Sequence, residues 1–138
     1  MSKTQNLVSW IAQLVAAVIL GQTLFFKFSG ADEAVALFTK LGVEPWGRIA
    51  LGIVELVAVL LLLVPRTAAL GGLLSLGLMV GAVGSHLGPL GIEVSGDGGL
   101  LFGLALVTLA AAATVTILRR AELPLIGRRL APRAVAAQ

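Results

Sequence analysis

Glu55 stands in an unbroken apolar run, among Val54, Leu56, Val57 and Ala58. A charge at mid-membrane costs about 2.5 kcal/mol or more, so an acid there needs a basic or polar partner, a water-filled cavity, or a proton. Helical spacing puts Arg48, Gly52 and Glu55 on one face, with Glu55 about 10 Å beyond Arg48, and the glycine leaves room beside the acid. Lys27 ends the first apolar stretch, His86 lies near the end of the third, and Asp97 opens the fourth. All of these groups lie toward one side of the membrane. Lys27, Glu55 and His86 are therefore the candidate ligand-binding core, with Arg48 and Asp97 at its rim. In that arrangement Glu55 accepts hydrogen bonds or holds a proton, His86 donates to a carbonyl-type oxygen, Lys27 compensates charge, and apolar neighbours hold a ring or tail. Ion pairing inside a helical bundle, with a neutral His86 hydrogen-bonded across it, is the plainer account of the same residues.

Most cofactor chemistry is excluded by composition. The chain has no Cys, no Tyr and a single His, which rules out disulfides, thiol redox chemistry, iron-sulfur ligation, covalent haem and any multi-His metal cage within one chain. It also lacks a flavin or dinucleotide fingerprint. No cofactor is intrinsic to it, and any electrons would come from a bound quinone or a partner subunit.

The elements that must position these groups are membrane spans. Of 138 residues, 58% are hydrophobic and 12% charged, against about half and a quarter in an ordinary soluble domain. At about 20 apolar residues per span, that composition allows four helices. The expected spans are 7–28, 49–64, 67–88 and 98–118, together one membrane domain over residues 1–118. The first segment is read as a retained span and not as a cleaved signal peptide, because no small-residue cleavage site follows it. The Val64-Pro65-Arg66-Thr67 connection is short enough to force the second and third spans into an antiparallel hairpin.

Charge bias orients them. One side receives Lys3, Arg66, Arg119, Arg120, Arg128, Arg129 and Arg133 against the single acid Glu122; the other receives Lys27, Lys40 and Arg48 with Asp32, Glu33, Glu44, Glu93 and Asp97. Both termini are thus expected in the cytoplasm. The stretch 119–138, basic and interrupted by Pro124 and Pro132, reads as a cytoplasmic tail that is mobile or lies on anionic lipid. The net charge of +3 flanks the spans and does not suggest nucleic acid.

Ser29 precedes Asp32 with capping-box spacing, and Ala34, Val35, Phe38 and Leu41 recur at helical intervals before Gly42. A short interfacial helix is expected in this first outer loop, with Trp46 at the head-group level beyond it; it is either a lid over the bundle or a connector on the lipid surface. Gly77, Gly81, Gly84 and Gly88 fall within about 60° on one face of the third span, a seam for close helix packing within the chain or between two protomers of a homo-oligomer. His86 points about 180° away from them, with Ser75, Met79 and Ala82. Gly99 and Gly103 repeat the glycine device more weakly. The Ser95-Gly96-Asp97-Gly98-Gly99 turn lacks the lysine of a P-loop and the length of an EF-hand, and reads as a tight turn in which Asp97 caps the fourth helix.

Phe25-Phe26-Lys27-Phe28, Glu44-Pro45-Trp46-Gly47-Arg48, Gly52-Ile53-Val54-Glu55-Leu56, the Pro65-Arg66 hairpin, the His86 region and Gly91-Ile92-Glu93-Val94-Ser95-Gly96-Asp97-Gly98-Gly99 occur in that order. In this the chain resembles the DoxX family, and within it the DoxX-like branch of small four-span bacterial membrane proteins, over nearly its whole length to Leu118. The usual glycine three residues ahead of the lysine is replaced by Leu24. The resemblance implies a four-helix protein of the bacterial inner membrane. It also implies kinship with proteins associated with quinone-reducing thiosulfate oxidation, oxidative-stress membrane complexes or maturation of partner proteins.

Three functions are compatible with these residues. The first is a non-catalytic protein whose outer-side pocket binds a quinone- or lipid-like amphiphile or contacts a partner subunit. The second is a small proton-coupled carrier in which Glu55 and His86 exchange protons. The third is the membrane subunit of a quinone-linked oxidoreductase.

Overall fold

The computed structural model describes residues 1–131. Four helices are long and apolar enough to cross a membrane: α1 (Lys3–Ser29), α3 (Trp46–Leu63), α4 (Ala68–Leu87) and α5 (Leu100–Leu118), with the short α2 (Asp32–Lys40) between α1 and α3. No strand occurs among the described residues. The long helices run up and down in a square: α1 packs on α3 and α5, α4 packs on the same two, and α1 and α4 face each other across the diagonal. One end carries the N-terminus, the α3–α4 hairpin and the end of α5; the other carries α2 and the loop 88–99. They are called here the terminal end and the loop end.

α1 starts four residues before its apolar pattern does, because Ser2 and Gln5 form a reciprocal capping box: each side chain accepts from the other's backbone N–H at 3.1 Å. It stops at Gly30, whose φ of 67° is the left-handed turn that a glycine adopts without penalty. Ser29 lies inside α1 and does not cap α2. The first residue before α2 is Ala31, which offers no side-chain cap, so the capping box expected at Ser29 and Asp32 does not form.

The core is built from small side chains. Ala16, Ala58, Ala68, Ala69 and Ala112 are fully buried with Leu62 and Val115, while Leu7, Val18, Phe25, Leu60 and Ile117 point outward. This distribution suits a lipid solvent, where bulky apolar side chains lose nothing by facing outward and close backbone approach gives the packing. On α4 that approach occurs at Gly71 and Gly72. A Cβ on Gly71 would lie 2.7 Å from the Leu62 nitrogen of α3, and one on Gly72 would lie 2.8 Å from Thr116 Oγ1 of α5. The expected glycine seam is different: a Cβ on Gly77, Gly81 or Gly84 would meet nothing within 4 Å, and one on Gly88 only its own chain. That stripe does not join two spans of this chain, because α4 is already held on both sides one to two turns nearer its start.

Arg119 is not part of a free tail. It is 4% exposed and reaches back from the end of α5 to α1. Its Nε donates to Ser9 Oγ at 2.7 Å and Gln13 Oε1 at 2.9 Å, and its Nη2 donates to Asn6 Oδ1 at 3.0 Å. Glu122 completes its partners at 3.2 Å, and the guanidinium lies 6.0 Å from the Trp10 ring. Gln13 in turn donates to the Leu62 carbonyl of α3 at 2.7 Å. Beyond it the chain folds back through a 3₁₀ turn (Arg120–Glu122) and α6 (Gly127–Leu130), with Leu123 buried and Arg120 donating to the Leu130 carbonyl. Of the stretch 119–138, expected as a tail that is mobile or lies on anionic lipid, Arg119 is instead packed into the bundle; Pro132 and Arg133 lie outside the described residues.

Candidate functional site

Lys27 and Glu55 meet. The last turns of α1 lie against the face of α3 that carries Arg48, Gly52 and Glu55, and each position finds a different part of α1. Arg48 Nη1 donates to the Lys27 carbonyl, one of the acceptors a helix leaves unpaired at its C-terminus. A Cβ on Gly52 would sit 2.9 Å from the Phe28 ring, so the space beside that glycine is filled by Phe28. Glu55 Oε2 lies 3.0 Å from Lys27 Nζ and 3.2 Å from Thr23 Oγ1, and Lys27 also donates to Thr23 Oγ1 at 3.2 Å. The acid is 6% exposed. It is answered by a compact triangle of ammonium, hydroxyl and carboxylate inside the bundle.

A cavity of about 1000 Å³ opens beside this triangle. It occupies mainly the loop-end half, and its lining extends along α4 as far as Leu70. Lys27, Glu55, His86 and Asp97 all line it. The rest of the wall is mostly Leu, Ala and Gly, including Gly77 and Gly81 of the stripe, which explains where the open space beside those glycines leads. Arg48 does not line it; its Nε is bound by Glu44 at 2.9 Å, and it acts on the site only by fixing the end of α1.

His86 is buried at 4% exposure. Its Nδ1 lies 2.9 Å from the Gly91 carbonyl, and a carbonyl can only accept, so Nδ1 carries a proton. In the neutral ring Nε2 is then a lone-pair acceptor. The ring meets Phe102 edge-on at 5.6 Å. The donor role expected of His86 toward a ligand thus requires the charged ring.

Asp97 is committed to the backbone. Its carboxylate accepts from Gly99 at 2.8 Å, Leu101 at 3.0 Å and Val94 at 3.1 Å, closing the loop and satisfying free amides at the start of α5. Those bonds, from Leu101, Val94 and Gly99, hold its carboxyl below the ordinary value, with a smaller contribution from nearby His86.

α2 does more than rest on lipid. Glu33, Ala34, Leu37 and Phe38, with Leu41 just beyond, present one side to the cavity, and Phe38 is 4% exposed. Trp46, expected at the head-group level beyond α2, is the first residue of α3 and is largely exposed. Sequence reasoning missed Thr23, an uncharged residue one turn before Lys27, and the Ser9–Gln13–Arg119 cluster. The i, i+4 pair of polar residues inside the first span was the available signal for that cluster.

The fold and site together define a polytopic helical membrane protein with a cavity between its helices. The sequence profile of the DoxX-like family matches residues 11–113, about three quarters of the chain, and the protein belongs to that family. Comparison with curated proteins and with solved structures returns no significant match.

Proposed function

We propose that this protein is a non-catalytic binder of a small amphiphile, quinone- or lipid-like, held in the cavity at the loop end of the bundle. The observation that carries this reading is a partly open space of about 1000 Å³ whose wall is largely apolar and into which Glu55, paired with Lys27, and His86 are built. Ligand pockets commonly measure about 300–1,000 Å³ and combine apolar walls with a few convergent polar groups. In this reading the Leu- and Ala-rich wall holds a ring or chain, and the polar head settles against Glu55 and His86. In this reading the loop end faces the outer side of a bacterial inner membrane and both termini face the cytoplasm, an orientation that the positive-inside bias of the sequence supports. Residues 120–131, which carry Arg120, Arg128 and Arg129, then meet anionic lipid on the cytoplasmic face.

The test is lipid extraction of the purified protein followed by mass spectrometry, on wild type and Glu55→Gln. A discrete amphiphile should co-purify with the wild type and be depleted at least severalfold in the variant. Equal retention by a folded variant would remove Glu55 from the site, and extraction of bulk membrane lipid alone from both would remove the site itself.

A further inference from the structure

The polar groups in the cavity wall are unevenly matched. Glu55 Oε2 is taken up by Lys27 and Thr23, but Oε1 has no hydrogen-bond partner among the described residues. His86 has its one neutral-form proton on Gly91, and Nε2 has no partner among them. Ser85 donates its hydroxyl proton to the Gly81 carbonyl at 2.9 Å and retains only lone pairs. Glu33 of α2 adds a carboxylate with no hydrogen-bond or ion-pair partner among them. Against these stand the third N–H of Lys27, whose other two go to Glu55 and Thr23, and the amide of Gln22 and hydroxyl of Ser95, which like Glu33 sit on exposed positions. The deeply buried members, Glu55 and His86, present acceptors.

Among the described residues Ser75 Oγ is the one sealed polar atom without a partner, so Glu55 Oε1 and His86 Nε2 open onto the cavity. A ligand that fills the cavity and displaces water from them leaves them unmatched unless its head supplies the donor. A ligand head that only accepts, such as a ketone or quinone carbonyl, leaves both acceptors unmatched and brings another lone pair against them. Anionic heads fare worse beside Glu55 and Glu33. We infer that the cavity selects amphiphiles whose uncharged head donates a hydrogen bond, such as a phenol, a hydroquinone or an alcohol, over those whose head only accepts. This rests on the reading of the cavity as a ligand site and specifies its ligand class.

A matched pair of probes tests it. 4-Nonylphenol and 4-nonylanisole share ring, tail and oxygen, and differ in that the methyl ether has no O–H. Their binding to the detergent-solubilised full chain is compared by equilibrium dialysis at neutral pH. The phenol should bind about tenfold or more tighter than the ether, the size expected of one hydrogen bond to a charged acceptor. In Glu55→Gln, whose neutral amide oxygen is a weaker acceptor than the carboxylate, the ratio should fall severalfold, to what that amide and His86 Nε2 sustain, while the ether's own affinity changes little. Equal affinity of the wild type for both probes, with binding reduced by Gly81→Leu inside the cavity, overturns the donor preference and leaves the cavity reading standing. Binding of neither probe overturns both.

Discussion

Arg119 Nε lies 2.9 Å from Gln13 Oε1, across 106 residues of sequence, and closes the square of helices between its first and last long members. The pair is buried, and Ser9, Asn6 and Glu122 complete the shell around the guanidinium. Three acceptors on α1 depend on one cation from α5.

Removing that cation leaves the buried Ser9 Oγ without its donor and Gln13 Oε1 with only the Ser9 hydroxyl at 2.8 Å, while the exposed Asn6 turns to water. Arg119→Met should destabilise the detergent-solubilised protein by about 1–3 kcal/mol, the cost typical of leaving buried polar groups without their partner. Arg119→Lys should recover little, because an ammonium cannot reproduce the planar fork that reaches Ser9, Gln13 and Asn6 together. Thermal unfolding followed by tryptophan fluorescence reads both, and a Lys variant as stable as wild type would show that charge alone suffices.

The Lys27–Glu55 pair makes a contrasting prediction. Lys27→Met alone strands an acid and should cost about 3–5 kcal/mol, whereas Lys27→Met with Glu55→Leu should regain most of it. If the double variant is no more stable than the single, the pair's neighbours, not the pair, set the cost.

Two glycines of α4 should respond in opposite ways. Gly72→Ala pushes a methyl against Thr116 and the Ala112 carbonyl and should destabilise by about 1–3 kcal/mol, as overpacking does. Gly81→Ala meets open space and should be neutral or stabilising by up to about 1 kcal/mol from helix propensity. Thermal unfolding checks both. Cross-linking and light scattering of Gly81→Leu in detergent report whether the stripe also joins two protomers; loss of a dimer there would assign it to an interface.

Asp97 gives the pH dependence. Its folded carboxyl titrates below the ordinary value, so the charged form contributes stability fully above the ordinary carboxylate range. That contribution is lost as pH falls through the lower folded value. Asp97→Asn should therefore unfold earlier than wild type near neutral pH, and the difference should close in strong acid. A gap that is constant with pH would assign the effect to shape and not to charge.

The buried acid was legible because a carboxylate among Val54, Leu56 and Val57 violates the composition of its own helix, and a violation of that kind demands a partner. Lys27 could be named as a candidate by depth. Its pairing could not, since that depends on the seam between α1 and α3. Arg119 was opaque for the opposite reason: a cation at the end of a span is where water usually takes it, and the polar pair Ser9 and Gln13 in the first span signals a buried polar contact without saying which residue makes it. The glycine stripe shows how periodicity reports a face without reporting what lies opposite. Gly77 and Gly81 share that face and border the cavity, whereas Gly71 and Gly72, outside the repeat, make the close contacts. The short helix after α1 was readable from its spacing, but its placement across the cavity depends on a turn at Gly30 and on the grip of Arg48 on the end of α1.

The fully buried Leu62 and Val115, and the arginine knot at the same level, give the molecule a plugged floor beneath a hollow upper storey. Under the proposed reading a guest would be lodged above that floor and leave it closed, whereas a carrier would have to untie the knot at every passage from one compartment to the other.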